Sequence, residues 1–247
     1  MKNSDKNLYI KDIKNWLYLQ KQLGINYIGK SKSIIEFLNK VKEKDEVDKP
    51  LELTNLEELK QQIENCKLCP LHKQRKNPVF GEGPSDAKLM LIGEAPGREE
   101  DLTGRPFVGV SGQLLTKMLR AINIERETVF ITSVVKCRPP ANRTPHADEI
   151  KACKPYLLKQ IELIKPKILL ALGQCAAHCV LNTKAPLKEL RGKCHNIKIN
   201  NLDLMVFVTY HPAFLLRQYG KRQILYKREA WNDLKMLKSA YDKINKE

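Results

Sequence analysis

Four short, almost unbroken apolar runs set the tightest limit on the fold: KLMLIG at 88–93, VFITSVV at 129–135, KILLAL at 167–172 and LMVFVTY at 204–210. Each has the length of a strand, and a strand with so little polar alternation must be covered on both faces. Helix-like segments fall between them, around GQLLTKMLRAI, ADEIKACKPYLLKQIELI and CAAHCVL. The alternation predicts an α/β chain, a three-layer αβα sandwich around a mainly parallel four-stranded central sheet. With 247 residues, 42% of them apolar, the chain can build one such domain and an appendage.

The appendage is at the N-terminus. Residues 1–50 carry helical patterns, Ile13, Trp16, Leu17, Leu19 and Leu23, then Ile34, Ile35, Phe37, Leu38 and Val41, and end in the charged linker VKEKDEVDKP. The α/β domain is expected over 51–247. Lys and Arg total 44 against 28 Asp and Glu, a net charge of +16 spread along the whole chain. That distribution fits a nucleic-acid partner better than a brief contact with a membrane surface. No run approaches the roughly 18 apolar residues of a membrane span, and the start lacks a signal peptide's apolar core, so we expect a cytoplasmic protein. Seven irregularly spaced cysteines point away from a disulfide framework, toward metal ligands or buried thiols.

In parallel sheets the ligand lies beyond the carboxyl ends of the strands. The segments there are GEAPGREED, KCRPPANRTPH, GQ and HPAFLLR, and three of the four combine turn formers with charged or imidazole groups. Cys66 and Cys69 form a CxxC, and Cys137 and Cys153 flank the Arg- and Pro-rich loop. Together they offer four thiolates, a set that suits zinc or a [4Fe-4S] cluster equally by spacing. Cys175, Cys179 and Cys194 read as bystanders. Taken alone, His211 reads as a helix-capping or packing histidine, and Phe107 reads as core.

The combination of Cys66-Lys-Leu-Cys69, Gly93-Glu-Ala-Pro-Gly97 with Arg-Glu-Glu-Asp101, Gly104-Arg-Pro-Phe-Val-Gly109, Lys136-Cys-Arg-Pro-Pro140 with Asn142-Arg143, and His211-Pro-Ala213 resembles the family 4 uracil-DNA glycosylases. The motifs run in the family's order from about residue 55 to about 240. The resemblance implies a [4Fe-4S] cluster on Cys66, Cys69, Cys137 and Cys153. It also implies a monofunctional base-excision repair enzyme that hydrolyses the N-glycosidic bond of deoxyuridine in single- and double-stranded DNA; we expect it to act as a monomer. The implied roles are a hydrogen bond from His211 to uracil O2, stacking of Phe107 on the extruded base and a backbone wall at Gly93 and Ala95; Arg138, Arg143 and Arg217 read either as phosphate contacts or as surface charges. Better-known uracil glycosylases carry an acidic residue where this chain has Ala95. Activating the water and stabilising the sugar cation therefore pass to Glu94, with Glu100 and Asp101 as further candidates or as a solvated acidic turn.

One position departs from the family. An asparagine normally precedes the two apolar residues and Lys-Cys after the second strand; here Ser133 stands in its place. A carboxamide accepts from uracil N3–H and donates to O4, whereas a hydroxyl reaches one edge atom. The expectation is a slower or less selective glycosylase, with activity on another deaminated base. The alternative is an iron-sulfur module that binds DNA without cleaving it; a redox carrier explains neither the charge nor the motifs. His146 sits where another member type traps DNA covalently, but the basic run before it is missing, so trapping is not expected.

Overall fold

The computed structural model describes residues 53–245, so the helical extension and linker predicted at 1–50 lie outside the described residues. Helix α1 (Leu56–Glu64) begins where the Asn55 side chain accepts the Glu58 N–H at 2.9 Å, with Glu57 and Glu58 placed at the positive end of the helix dipole. Then follow β1 (Leu89–Gly93), α2 (Arg98–Thr103), α3 (Val110–Ala121), β2 (Phe130–Ser133), α4 (Ala147–Ile164), β3 (Ile168–Leu172) and α5 (Gln174–Leu181). The chain continues through α6 (Leu187–Leu190), β4 (His195–Ile199), β5 (Leu202–Thr209), α7 (Pro212–Leu216) and α8 (Gly220–Ile244).

Among the described residues five strands form one sheet in the order β2-β1-β3-β5-β4; the first four run parallel and β4 pairs antiparallel with β5. The predicted four-stranded sheet is thus one strand short. The missing strand, His-Asn-Ile-Lys-Ile, is an edge strand with alternating exposure, so it has no unbroken apolar run to betray it. The αβα layering is as expected.

Side chains that alternate along each strand divide between two cores. Met90, Ile92, Leu169, Ala171, Val206 and Val208 pack with Leu59 and Ile63 of α1, Leu157 and Ile161 of α4 and Ala176 of α5. Leu89, Leu91, Ile168, Leu170 and Phe207 face Leu115 and Leu119 of α3 and Leu234 and Leu237 of α8. Fully burying one such side chain contributes about 1.5–3 kcal/mol, which explains why the runs are apolar throughout. The parallel register then places Gly93 beside Ser133 and Leu172 beside Thr209. Every carboxyl-terminal loop of the parallel strands consequently opens on the same edge. Among the described residues no helix is long and apolar enough to cross a membrane.

Candidate active site

A cleft of about 350 Å³ opens at this edge, and its lining brings together Glu94, Ala95, Phe107, Ser133, His211 and Arg217. Its wall depends on the absence of a side chain at Gly93: a Cβ there would lie 2.6 Å from Phe107 Cζ and 3.2 Å from Ser133 Oγ. Phe107 is buried and takes a left-handed backbone conformation, φ 50°, which is strained for a bulky residue. Arg126 holds it there, donating to Pro106 O at 2.6 Å and to Phe107 O at 3.0 Å. The ring lies 5.6 Å from that of His211, inclined by 33°.

Glu100 joins the two loops that carry these groups. One carboxylate oxygen accepts the Gly97 N–H at 3.1 Å, and the other accepts those of Val108 and Gly109, each at 2.9 Å. Asp101 is buried and accepts the Lys76 N–H at 2.9 Å. Neither belongs to a solvated turn, and both oxygens of Glu100 are occupied by amides. Glu94 remains as the half-buried carboxylate of the cleft. Burial raises its pKa, against the opposing influence of Thr144 and of the Arg217 charge.

His211 is the N-cap of α7, and its Nδ1 accepts the Ala213 N–H at 3.1 Å. A neutral imidazole accepting at Nδ1 must carry its proton on Nε2. Burial, with the Arg217 charge adding to it, brings the His211 pKa down to about 4, so the ring is uncharged at neutral pH. It is thus both a cap and a donor aimed at the cleft. No buried side-chain nitrogen or oxygen among the described residues lacks a partner. The Ser133 hydroxyl makes no hydrogen bond to the described residues, and Ser133 lines the cleft.

The three arginines have different surroundings. Arg217 is exposed at the cleft and forms no ion pair with any of the described residues. Arg143 also lines it, but its guanidinium is paired with Glu149 at 2.6 and 2.9 Å. Arg138 lies outside the lining and donates to Asn142 Oδ1 at 2.8 Å, bracing the loop whose Ala141 and Asn142 are both left-handed. Asn142, whose place in its motif gives no sign of a role, stands in the lining; His146 does not, and is instead the exposed N-cap residue of α4, its N–H donating to Glu149 Oε2 at 2.7 Å. Lys136, quoted only as part of a motif, is fully buried and donates to Thr132 Oγ1, Ser133 O and Gln160 Oε1 at 2.6–2.7 Å. It thereby ties the end of β2 to α4.

Behind the cleft, Cys66, Cys69, Cys137 and Cys153 share the wall of a second cavity with Arg75, Lys136 and Tyr156, whereas Cys175, Cys179 and Cys194 do not reach it. Among the described residues no three His, Cys, Asp or Glu side chains are placed to hold a single metal ion. Burial pushes the Cys69 thiol up to about 11 and that of Cys153 to about 12, so thiolates here call for a cationic centre. Donors already point at two sulfurs: Arg75 Nη1 at 3.1 Å from Cys137 Sγ and the Lys136 N–H at 3.3 Å from Cys153 Sγ. This all-sulfur donor set with N–H···S support fits an iron-sulfur cluster.

Residues 80–235 match the family model of the uracil DNA glycosylase superfamily. The type-4 uracil-DNA glycosylase of Pyrobaculum aerophilum is 47% identical over 172 residues, covering 68% of this chain and 88% of that protein. That of Thermotoga maritima is 46% identical over 167 residues, covering 66% and 83%. A type-5 uracil-DNA glycosylase of P. aerophilum is 34% identical over 163 residues, covering 58% and 69%.

Proposed function

Since the chain belongs to the uracil DNA glycosylase superfamily, among its type-4 members, it is a uracil-DNA glycosylase, and we propose that the cleft between Glu94 and His211 is where it breaks the glycosidic bond. The observation that carries this reading is the fixed tautomer of His211, a neutral ring held with Nε2–H free beside Phe107.

A base inside a duplex is out of reach, so the deoxyuridine is extruded into the cleft. Phe107 stacks on it, the backbone at Gly93 and Ala95 passes along its edge, and the Ser133 hydroxyl bonds one edge atom. As the C1′–N1 bond lengthens, negative charge spreads onto uracil O2 and positive charge onto the sugar. The Nε2–H of His211 donates to O2; a neutral donor suits this task because it stabilises the anion without giving up its proton. Glu94 orients the attacking water and faces the sugar cation, and Arg217, which forms no ion pair with the described residues, takes a flanking phosphate. Every one of these groups addresses a single extruded nucleotide, which supports action on single- and double-stranded DNA.

Cys66, Cys69, Cys137 and Cys153 would hold the [4Fe-4S] cluster. When bound, it would fasten the segment before β1 to the loop after β2 and to α4, and so support the walls that carry Ser133 and Arg143.

The test is cleavage of a uracil-containing oligonucleotide at the abasic site after alkali. The wild-type protein should cleave, and His211→Ala should slow the single-turnover step by about 10²–10³-fold. A DNA-binding module would give no abasic site with either protein.

A further inference from the structure

We propose that Arg191, on the segment between α6 and β4, is a positioning residue that fixes His211 through Tyr210 and Thr209, an inference that rests on the reading of His211 given above. The side chain is almost wholly buried. Its Nε donates to Asp233 Oδ2 at 2.9 Å, and Nη2 lies 2.8 Å from the same oxygen in the ion pair. Nη1 donates to Tyr210 Oη at 3.1 Å and to Glu229 Oε2 at 3.2 Å, and the guanidinium carbon lies 4.0 Å from the Tyr210 ring centroid.

The two acidic partners on α8 extend the arrangement to the residues just before His211. Tyr210 Oη donates to Glu229 Oε2 at 2.7 Å, and Thr209 Oγ1 donates to Asp233 Oδ2 at 2.7 Å. Phe214 stacks on Tyr210 with centroids 5.1 Å apart, and Tyr226 meets it edge-on at the same distance. On the other side, the Gly173 N–H donates to Thr209 O at 2.8 Å, and a Cβ at Gly173 would come within 3.0 Å of His211 Cβ. The backbone that presents the imidazole is therefore held between Gly173 and the Arg191 cluster.

One planar guanidinium makes all these contacts at once, which an ammonium cannot do. Lysine at this position would keep the charge near Asp233 and lose the fork and the stacking on Tyr210. The freed Tyr210 would let His211 shift relative to uracil O2, and a displacement near 1 Å is enough to slow an oriented reaction strongly.

The experiment uses the full chain with its cluster and three readouts: single-turnover excision at saturating enzyme, affinity for the same oligonucleotide without uracil, and the ¹⁵N signals of the His211 ring. For Arg191→Lys we expect excision about tenfold slower, unchanged affinity, and imidazole signals displaced from the pure Nε2–H form. On a His211→Ala background the same substitution should cause no further slowing. Tyr210→Phe, which deletes one hydroxyl and keeps the ring, should act in the same direction and serves if Arg191→Lys does not fold. A full rate, a slowing equal with and without His211, or slowing with unmoved imidazole signals would overturn the inference. A fully active His211→Ala protein would overturn the reading of the site and this inference with it. A slow His211→Ala beside a fast Arg191→Lys would remove only the latter.

Discussion

The ring of Phe107 occupies the space that a side chain at Gly93 would need, with Cζ only 2.6 Å from the position of the missing Cβ. Something has to move in Gly93→Ala. The neighbour that must yield is the tip of an aromatic ring beside an open cleft, not backbone, so we expect the ring to swing into the space reserved for the base. The fold should lose no more than about 1–3 kcal/mol, as for one methyl group added to a packed site. Excision should fall by at least tenfold, about 1.4 kcal/mol of transition-state stabilisation. Thermal melting and single-turnover kinetics on one preparation check the pair. A large loss of stability with a normal rate in the folded fraction would refute the assignment of this wall to base binding.

The two titrating groups of the cleft are displaced in opposite directions, and this sets the expected pH profile. His211 is brought down to about 4 by burial, so lowering the pH from 8 to 5 should not silence it by protonation. Glu94 is raised above the ordinary carboxylate value, so it takes up a proton first and should govern the acid limb of the rate. Glu94→Gln should be slower by about 10²-fold and flat across that limb. Stability follows a separate rule. The His211 pKa is depressed on folding, so its contribution is complete above the unfolded value near 6.5 and is lost as the pH falls toward about 4. Comparing the melting temperatures of wild type and His211→Gln at pH 7.5 and pH 4.5 isolates that share, since the variant should lose less stability on acidification.

The cysteines divide cleanly in space, and their substitution should divide in the same way. Replacing Cys66, Cys69, Cys137 or Cys153 by serine should abolish or strongly weaken the visible absorbance and bound iron of the purified protein. Cys175→Ser and Cys194→Ser should keep both, because neither residue reaches the shared cavity. Arg75→Met removes the donor to Cys137 Sγ and should hasten bleaching in air while leaving the four ligands in place. Iron analysis showing equal loss on replacing Cys175 would contradict this division.

The parts of the molecule that could be read from the chain are those whose cause is local. Unbroken apolar runs announce strands covered on both faces, and α4 (Ala147–Ile164) coincides with the helical segment seen in the sequence. The loops at the carboxyl ends of the strands could be found because their residues are costly anywhere else. β4 escaped because an edge strand with alternating exposure looks like any polar segment. Arg126, Arg191 and the bracing role of Glu100 escaped for another reason: each reaches groups 8–42 residues away, and a lone charged residue in a sequence gives no sign of a distant partner. For Glu100 the sequence allowed a solvated turn, and burial decides against it. For the cysteines, spacing left zinc and a cluster equal; the shared cavity brings the four sulfurs together without choosing between the two, and the cluster rests on the likeness to the type-4 glycosylases.

Ser133 bears most directly on which base is removed. It ends β2 beside Gly93 in the parallel register, is buried as a residue, and lines the cleft with a hydroxyl that has no hydrogen-bond partner among the described residues. A planar amide at this position would accept from N3–H and donate to O4 together, a pairing that cytosine reverses. On the reading proposed for this cleft, the hydroxyl would satisfy one of these atoms and leave the other to water. A missing polar contact of this kind is worth about 1–3 kcal/mol, or about 5- to 150-fold. Ser133→Asn should therefore raise uracil excision by about fivefold or more and widen the margin over hypoxanthine and xanthine, measured in parallel on matched oligonucleotides. The mutated side chain extends into open cleft and displaces no core residue, so the melting temperature should hold. If Ser133→Asn left the rate on uracil and the order of the three bases unchanged, recognition would have to lie elsewhere on the wall, with Asn142 the next group to replace, since its side chain lines the same cleft.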